Sequence, residues 1–423
     1  MIPLSTILFR VFIVFSIITL LDLYVFSGLK SATSSGNGTW WRPVVLWGYW
    51  SISIGLFLLM VFTFLTFNRT TGPSKLVYLF MGLTILFTVP KLIFAVVLLF
   101  EDIFRGGRGA IVGIAKATGA DFAKDLSISE GRRQVIGLIG LGAASIPFIG
   151  ILHGMLKGKY QYTVHNSEIS FKDLPAAFDG FKIVQISDVH SGSFDSPSDV
   201  KRGIELIMAQ KPDLFVFTGD IVNNLATELE PWVSVFQKIK APFGQFSVLG
   251  NHDYSDYIEW SSKQAKEANL NRVKELHKEI GFKLLLNENI DIEKEGQKIK
   301  LLGMENWGKG FSQYGDFEKT LAGVAKEDFK ILLSHDPSHW DEQVLPHDNH
   351  IHLALAGHTH GMQFGIEIPG FKWSPVKLRY PRWAGLYEES GKYLYVNRGF
   401  GFLAFPGRVG IWPEVTVITL RKA

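Results

Sequence analysis

The sequence predicts an α/β domain preceded by an all-α membrane region. Four long apolar runs fill residues 1–157, and residues 158–423 alternate strand-like and helical segments with polar blocks placed directly after apolar runs. A chain of 423 residues is long for one domain, and its apolar residues are concentrated at the front. The expected division is therefore a transmembrane region over 1–157 and a soluble domain over 158–423.

The four runs come in order. Residues 4–29 are apolar except for Arg10 and Asp22, and residues 44–67 carry no charge. Residues 76–100 contain only Lys91, beside Pro90, and residues 135–156 are rich in Gly, Ala, Ile and Leu. A bilayer core needs about 20 apolar residues per helix, so each run is long enough to span it. Lys91 reads as a lysine that snorkels or contacts a neighbouring span, Asp22 reads likewise, and no acid–base partnership in the spans suggests a proton relay. The segment from Gly106 to Gly131 is mixed and amphipathic, as in a surface helix.

Lys30, Arg42, Arg105, Arg108, Lys116, Lys124, Arg132 and Arg133 fall in loops on one side, against Arg69, Lys75, Lys157 and Lys159 on the other, eight against four. Positive residues collect on the cytoplasmic face, so the soluble domain is expected outside the cytoplasm. Arg132-Arg133 ahead of the fourth run also matches a twin-arginine export pattern, with the same topology. A net charge of +3 and the lack of any basic patch interleaved with aromatics argue against a nucleic-acid partner. The absence of cysteine excludes disulfides and thiolate zinc sites.

In the soluble part, Ser198–Gln210 and Ala265–Ile280 have helical spacing. Phe282–Asn289 and Lys298–Met304 read as paired strands joined at Glu293-Lys294-Glu295-Gly296, and Lys392–Leu420 is again strand-like. Five blocks carry the chemistry: Asp188-Val189-His190, Gly219-Asp220, Gly250-Asn251-His252-Asp253, Ser334-His335-Asp336 and Gly357-His358-Thr359-His360. Buried strands that end in polar ligands deliver side chains to one rim of a sheet, where sites of α/β proteins form. Aspartate, asparagine and histidine together suit divalent transition ions. Alternation along an extended Asp188-Val189-His190 would put both ligands on one side.

The order of these blocks resembles the calcineurin-like metallophosphoesterase superfamily, over roughly residues 161–420. Leu332–Pro337, Ala384–Tyr387, Asn397–Gly401, Arg408 and Pro413-Glu414 resemble its bacterial membrane-associated branch. Met362 departs from that branch, which usually has a glycine there, and is expected to alter the pocket floor. The resemblance implies a four-layer α/β/β/α sandwich holding two divalent metal ions (Mn, Fe or Zn). It implies Asp188, His190 and His360 as ligands of one ion, Asn251, His335 and His358 as ligands of the other, and Asp220 as the bridge. Water activated by the two cations would attack phosphorus, with His252 contacting the phosphoryl group and protonating the leaving oxygen.

Arg398 and Arg408 are candidate substrate-phosphate ligands because guanidinium matches phosphate geometry; structural salt bridges are the other reading. His339, His347, His350 and His352 match no motif and read as surface or core histidines. Asn223 and Asn224 stand where the superfamily's protein phosphatases have Asp and Arg, which disfavours a protein substrate and leaves His252 without its usual orienting partner. Residues around Trp373, Lys377, Arg379, Tyr380, Arg382 and Trp383 form either a rim dipping into the membrane interface or a packed loop. Phe402, Leu403, Phe405 and Trp412 are open to the same two readings.

The expected activity is that of a phosphohydrolase anchored in a bacterial inner membrane. Its expected partners are the lipid bilayer and a phosphorylated lipid or glycan, cleaved at a phosphodiester, pyrophosphate or phosphomonoester. The alternative is a UDP-diacylglucosamine pyrophosphatase-like enzyme of lipid A synthesis with a cytoplasmic catalytic face. Asn37-Gly38-Thr39 and Asn68-Arg69-Thr70 are set aside as glycan acceptors on the strength of the bacterial resemblance.

Overall fold

The computed structural model describes residues 4–34, 40–118 and 131–423, and the chain divides into two compact units, Met1–Thr66 with Phe80–Leu152 and Phe67–Leu79 with His153–Ala423. The Asn37-Gly38-Thr39 triplet, Lys124 and the segment 119–130 lie outside the described residues.

The first unit is built on helices α1 (Leu4–Ala32), α2 (Trp41–Thr66), α3 (Lys75–Ala117) and α4 (Arg132–Leu156). All four are long and apolar enough to cross a membrane. Helix α3 runs 43 residues, through Pro90 and past the expected end of the span at Phe100. No proline follows Pro90 within it, so nothing stops the helix, and the start of the expected surface helix is its continuation.

Asp22 and Lys91 are not separate. Lys91 Nζ donates to Asp22 Oδ1 at 2.6 Å and to Ser53 Oγ at 2.9 Å, while Tyr49 Oη donates to the same Asp22 oxygen at 2.6 Å. Ser53 lies 12 residues into the 26-residue α2, about 18 Å along its axis at 1.5 Å per residue, so the pair sits mid-span. An unpaired charge at that depth is costly, and the ion pair with two hydroxyls satisfies both groups.

In the second unit, strands β1 (Thr163–Phe171), β2 (Lys182–Ile186), β3 (Leu214–Phe217), β4 (Gln245–Ser247) and β5 (Lys283–Leu284) precede β6 (Glu288–Lys294) and β7 (Gln297–Gly303). Strands β8 (Lys330–Leu333), β9 (Leu353–Ala356), β10 (Ile366–Ile368), β11 (Phe371–Trp373), β12 (Gly385–Glu389), β13 (Lys392–Val396) and β14 (Glu414–Lys422) follow. One six-stranded sheet has the order β1-β14-β2-β3-β4-β5, the other β12-β13-β9-β8-β7-β6, and β10–β11 is a separate hairpin. The run Phe282–Asn289 is split between them: β5 pairs with β4 in the first sheet, and only β6 pairs with β7.

Period-two burial on both faces builds the layers. Ile183, Leu214, Val216, Ile331, Leu333, Leu353 and Leu355 meet between the sheets. Their neighbours Val184, Phe215 and Phe217 turn outward against Val200, Ile204 and Ile207 of α5 (Pro197–Ala209) and Val273 and Leu276 of α7 (Lys263–Glu279). The short α6 (Val233–Phe236) lies between those helices in sequence and adds Phe236. Leu302, Leu332 and Ala354 face the far side, under Phe317 of α8 (Phe317–Thr320) and Trp340. This is the four-layer sandwich, with a thin outermost layer. Helices α5 and α7 start where Ser196 and Ser262 accept from the backbone N–H of Asp199 and Ala265, ordinary N-caps.

Candidate metal centre

The strands put their polar blocks on one rim: Asp188 and His190 follow β2, Asp220 follows β3, Asn251 and His252 follow β4, His335 follows β8, and His358 and His360 follow β9. Two donor groups result. Asp188, His190 and His360 bring ligand atoms within 4.8 Å of one another, and so do Asp220, His335 and His358. Asp220 Oδ2 lies 3.6 Å from His190 Nε2 and 3.2 Å from His335 Nε2, standing between the groups. Asn251 Oδ1 lies 3.1 Å from His335 Nε2 and 2.9 Å from His358 Nδ1. His360 Nε2 is 3.0 Å from His190 Nε2 and 3.2 Å from Asp188 Oδ1. Donors at about 2.0–2.2 Å from one ion sit about 3 Å apart along an octahedral edge, so these spacings fit two divalent ions that accept nitrogen and oxygen.

The backbone is not the extended one expected for Asp188-Val189-His190. Asp188 (φ 51°), His190 (φ 46°), Asp220 (φ 62°), His358 (φ 70°) and His360 (φ 50°) are all left-handed. Each such residue costs about 1–3 kcal/mol and persists where surrounding contacts dictate it. Here Asp188 N–H donates to Gly219 O and His190 N–H to Asp220 O. Gly219 (φ 95°) allows the approach, since a Cβ there would stand 2.5 Å from Gly250 N. Asp253 holds the same corner, accepting from the N–H groups of Gly250, Asp220, Ile221 and Val222. Burial and the nearby Asp220 push its carboxyl up to about 7.

Hydrogen bonds fix the tautomers. His335 Nδ1 lies 2.7 Å from Thr218 O, and a carbonyl only accepts, so Nδ1 carries the proton and Nε2 faces Asp220 and Asn251. His252 Nδ1 likewise donates to Asn223 O at 2.8 Å. A main-chain carbonyl thus replaces the missing side-chain orienter. His358 turns Nε2 toward Tyr380 Oη (2.9 Å) and Asp336 Oδ2 (3.4 Å), leaving Nδ1 for the centre. Carboxylate partners behind histidine ligands are a common outer support of metal sites.

Burial disfavours charge throughout, and the acid–base pairs overrule it in part. The His335 imidazole is pushed up to about 10: burial opposes its charge, but Asp220 outweighs it. Asp188 and Asp220 are held below the usual carboxylate range despite burial, Asp188 by His360 and Asp220 by His335. Burial drives His190 and His358 below the ordinary imidazole value.

Arg398 and Arg408 are not available to a substrate. The Arg398 side chain is 4% exposed and pairs with Glu414 Oε2 at 2.6 Å and Glu367 Oε1 at 2.5 Å. Arg408 is fully buried and donates to the carbonyls of Gly399 and Gly401, with Nη2 3.2 Å from His360 Nδ1. Both brace the loop behind the centre, because their donors are consumed within the fold. Met362 (φ 55°) is 56% exposed.

The other histidines stand apart from both donor groups: His339 faces Ser334 and Gln343, His347 faces Glu318, and His352 faces Asp173. His350 packs on the His352 ring. Sequence reasoning gave Asp336 no role within its block, read Tyr380 only as rim or packed loop, and missed Tyr257, whose hydroxyl accepts from Asn251 Nδ2 at 2.7 Å. It also missed the segment 67–79, where Tyr78 Oη at the start of α3 lies 3.4 Å from Nδ2 of Asn223, the residue whose carbonyl orients His252. Only Asp336, adjacent to His335 in the chain, had a visible signal.

A family described as calcineurin-like phosphoesterase matches residues 181–362, and one described as a probable calcineurin-like phosphoesterase transmembrane domain matches 6–159. The uncharacterised metallophosphoesterase YkuE of Bacillus subtilis (strain 168) is 33% identical over 299 residues, 69% of this chain and 98% of that protein. The chain belongs to the calcineurin-like metallophosphoesterases. It is a membrane protein and a metal-dependent phosphoester hydrolase of that family. The zebrafish (Danio rerio) transmembrane protein with metallophosphoesterase domain is 27% identical, covering 78% of this chain and 72% of its own. Phosphodiesterase YaeI of Escherichia coli (strain K12) is 28% identical, covering 68% and 98%.

Proposed function

We propose that this chain hydrolyses a phosphodiester, pyrophosphate or phosphomonoester of a lipid or envelope glycan at the outer face of a bacterial inner membrane. The observation that carries the reading is Asp220, shared between two donor groups beside His252 in a chain with four membrane-spanning helices. Asp188, His190, Asp220 and His360 would hold one divalent ion, and Asp220, Asn251, His335 and His358 the other. When bound, the ions supply Lewis acidity toward phosphoryl oxygens and toward water. The chain's own work is orientation and proton transfer. With Nδ1–H committed to Asn223 O, His252 keeps Nε2 for the phosphoryl group and, when protonated, for the leaving oxygen. The name of the Escherichia coli relative, phosphodiesterase YaeI, 28% identical, supports a diester.

The test is product analysis on purified lipid fractions with added Mn²⁺, comparing the intact protein with His360→Ala. Release of a phosphorylated or dephosphorylated headgroup by the intact protein alone supports the reading, and no release from any lipid fraction contradicts it. Sidedness separates it from the nucleotide-linked alternative. In this cysteine-free chain, Thr71→Cys and Ser261→Cys should react with an impermeant thiol reagent in spheroplasts. Protection of both would place the centre in the cytoplasm.

A further inference from the structure

The hairpin β10–β11 is patterned inside out. Ile366 pairs with Trp373 and Ile368 with Phe371, so these four share one face, while Glu367 and Lys372 share the other. The polar face is the one turned to the protein. Glu367 takes both Nε and Nη2 of Arg398, and Lys372 Nζ donates to Ala384 O and lies 5.7 Å over the Trp383 ring. The apolar face is left bare, with Ile366 52%, Ile368 58%, Phe371 53% and Trp373 44% exposed.

The patch is not scattered surface. Among the described residues from Lys157 onward, nine large apolar side chains are exposed, and six of them are these four with Met362 and Leu378, the last 92% exposed. Lys377 and Arg379 are exposed beside Leu378. Single exposed apolar residues are ordinary, whereas a contiguous set marks a contact surface. Apolar tips flanked by cations suit a bilayer interface with anionic lipid.

The hairpin is also tied to the centre. Ser374 Oγ donates to Gly361 O at 2.7 Å, immediately after His360, and Tyr380 meets His358 just beyond Leu378. Arg398 reaches from Glu367 to the buried Glu414, which fixes the hairpin's root. Trp383, Tyr380, Phe402 and Phe405 are buried, and Arg382 pairs with Asp341 and Glu389. The exposed set is therefore the hairpin with Lys377, Leu378 and Arg379, and Tyr380, Arg382, Trp383, Phe402 and Phe405 of the expected rim are packed loop.

We propose that the β10–β11 hairpin and Leu378 insert into the interface of the bilayer that the chain's own helices span, seating the metal centre against the lipid surface. This deepens the proposed function, resting on it for the claim that the substrate is presented at that surface. The bilayer is the occupant because the chain is already attached to it through α4, which only six residues separate from β1.

The test uses the full chain in vesicles of phosphatidylethanolamine and phosphatidylglycerol, with a nitroxide at Phe371→Cys, Leu378→Cys or, as a solvent reference, Ser261→Cys. Collision with oxygen, which partitions into lipid, relative to a water-soluble nickel chelate should be about tenfold higher at 371 and 378 than at 261, as for interfacial residues. Equal ratios at the three positions overturn the proposal. Phe371→Asp with Ile368→Asp should abolish the difference at 378. It should also lower hydrolysis of vesicle-embedded lipid about tenfold, leaving a soluble nitrophenyl phosphodiester unaffected. Lipid-like ratios without turnover of any vesicle lipid would uphold the insertion and remove the lipid-substrate reading alone.

Discussion

Replacing Arg398 by Met separates a structural arginine from a substrate-binding one. Arg398 stands between Glu414, fully buried, and Glu367. Although burial alone would raise it, the Glu414 carboxyl is held down at about 2 by Arg398. Against an ordinary value of about 4.5, a shift of that size corresponds to about 3 kcal/mol at 1.36 kcal/mol per pH unit. Breaking a buried ion pair by removing one partner costs about 3–5 kcal/mol, the same order. The group's folded value is depressed, so its contribution is whole above about pH 4.5 and is lost as pH falls toward 2. Arg398→Met should therefore lower the melting transition of the catalytic unit by about 6–12 °C at neutral pH, with the deficit shrinking below pH 4. Differential scanning of detergent-purified protein at pH 7.5 and at about pH 3 reads this, and Arg398→Lys should recover part of it. An unchanged melting transition with lost hydrolysis would refute the reasoning and return Arg398 to the substrate.

Three further outcomes follow from the geometry. His252→Ala should keep the metals and lower turnover by about 10²–10⁴-fold, less for good leaving groups such as nitrophenyl esters; equal losses for good and poor leaving groups would limit His252 to binding phosphate. His335 is held protonated up to about pH 10 by Asp220 and Asp188, yet ligation needs it neutral. Titration of metal-stripped protein should then release about one proton per chain at this site at pH 7.5, with affinity rising as pH rises, and titrations in buffers of different ionisation enthalpy that show no release would contradict it. In the membrane unit, Lys91→Met strands Asp22 and should cost about 3–5 kcal/mol, while adding Asp22→Leu should restore most of it. Thermal unfolding in detergent distinguishes this from two independent losses.

Much of the site was legible because its ligands are local to strand ends, and a strand's end is visible as an apolar run that stops at a polar turn. What the sequence hid were partnerships set by topology. Arg398 meets Glu367 from 31 residues away only because the β10–β11 hairpin folds back toward the Arg398 loop, and nothing local to Arg398 announces it. Asp22 and Lys91 are 69 residues apart on separate helices, so each looked alone. The left-handed ligands were misread because period-two reasoning applies to strands, while Asp188 and His190 lie past the end of β2. Residues 282–289 looked like one strand because hydrophobic pattern does not say which sheet each end joins.

In the function proposed above, one carboxylate, Asp220, serves both halves of a two-ion centre. Metal analysis of the purified wild-type chain and Asp220→Asn, alongside hydrolysis of a nitrophenyl phosphodiester, tests it most directly. Two ions per wild-type chain, depleted content in the variant and almost complete loss of hydrolysis are expected. Two tightly held ions and full hydrolysis in Asp220→Asn would contradict it.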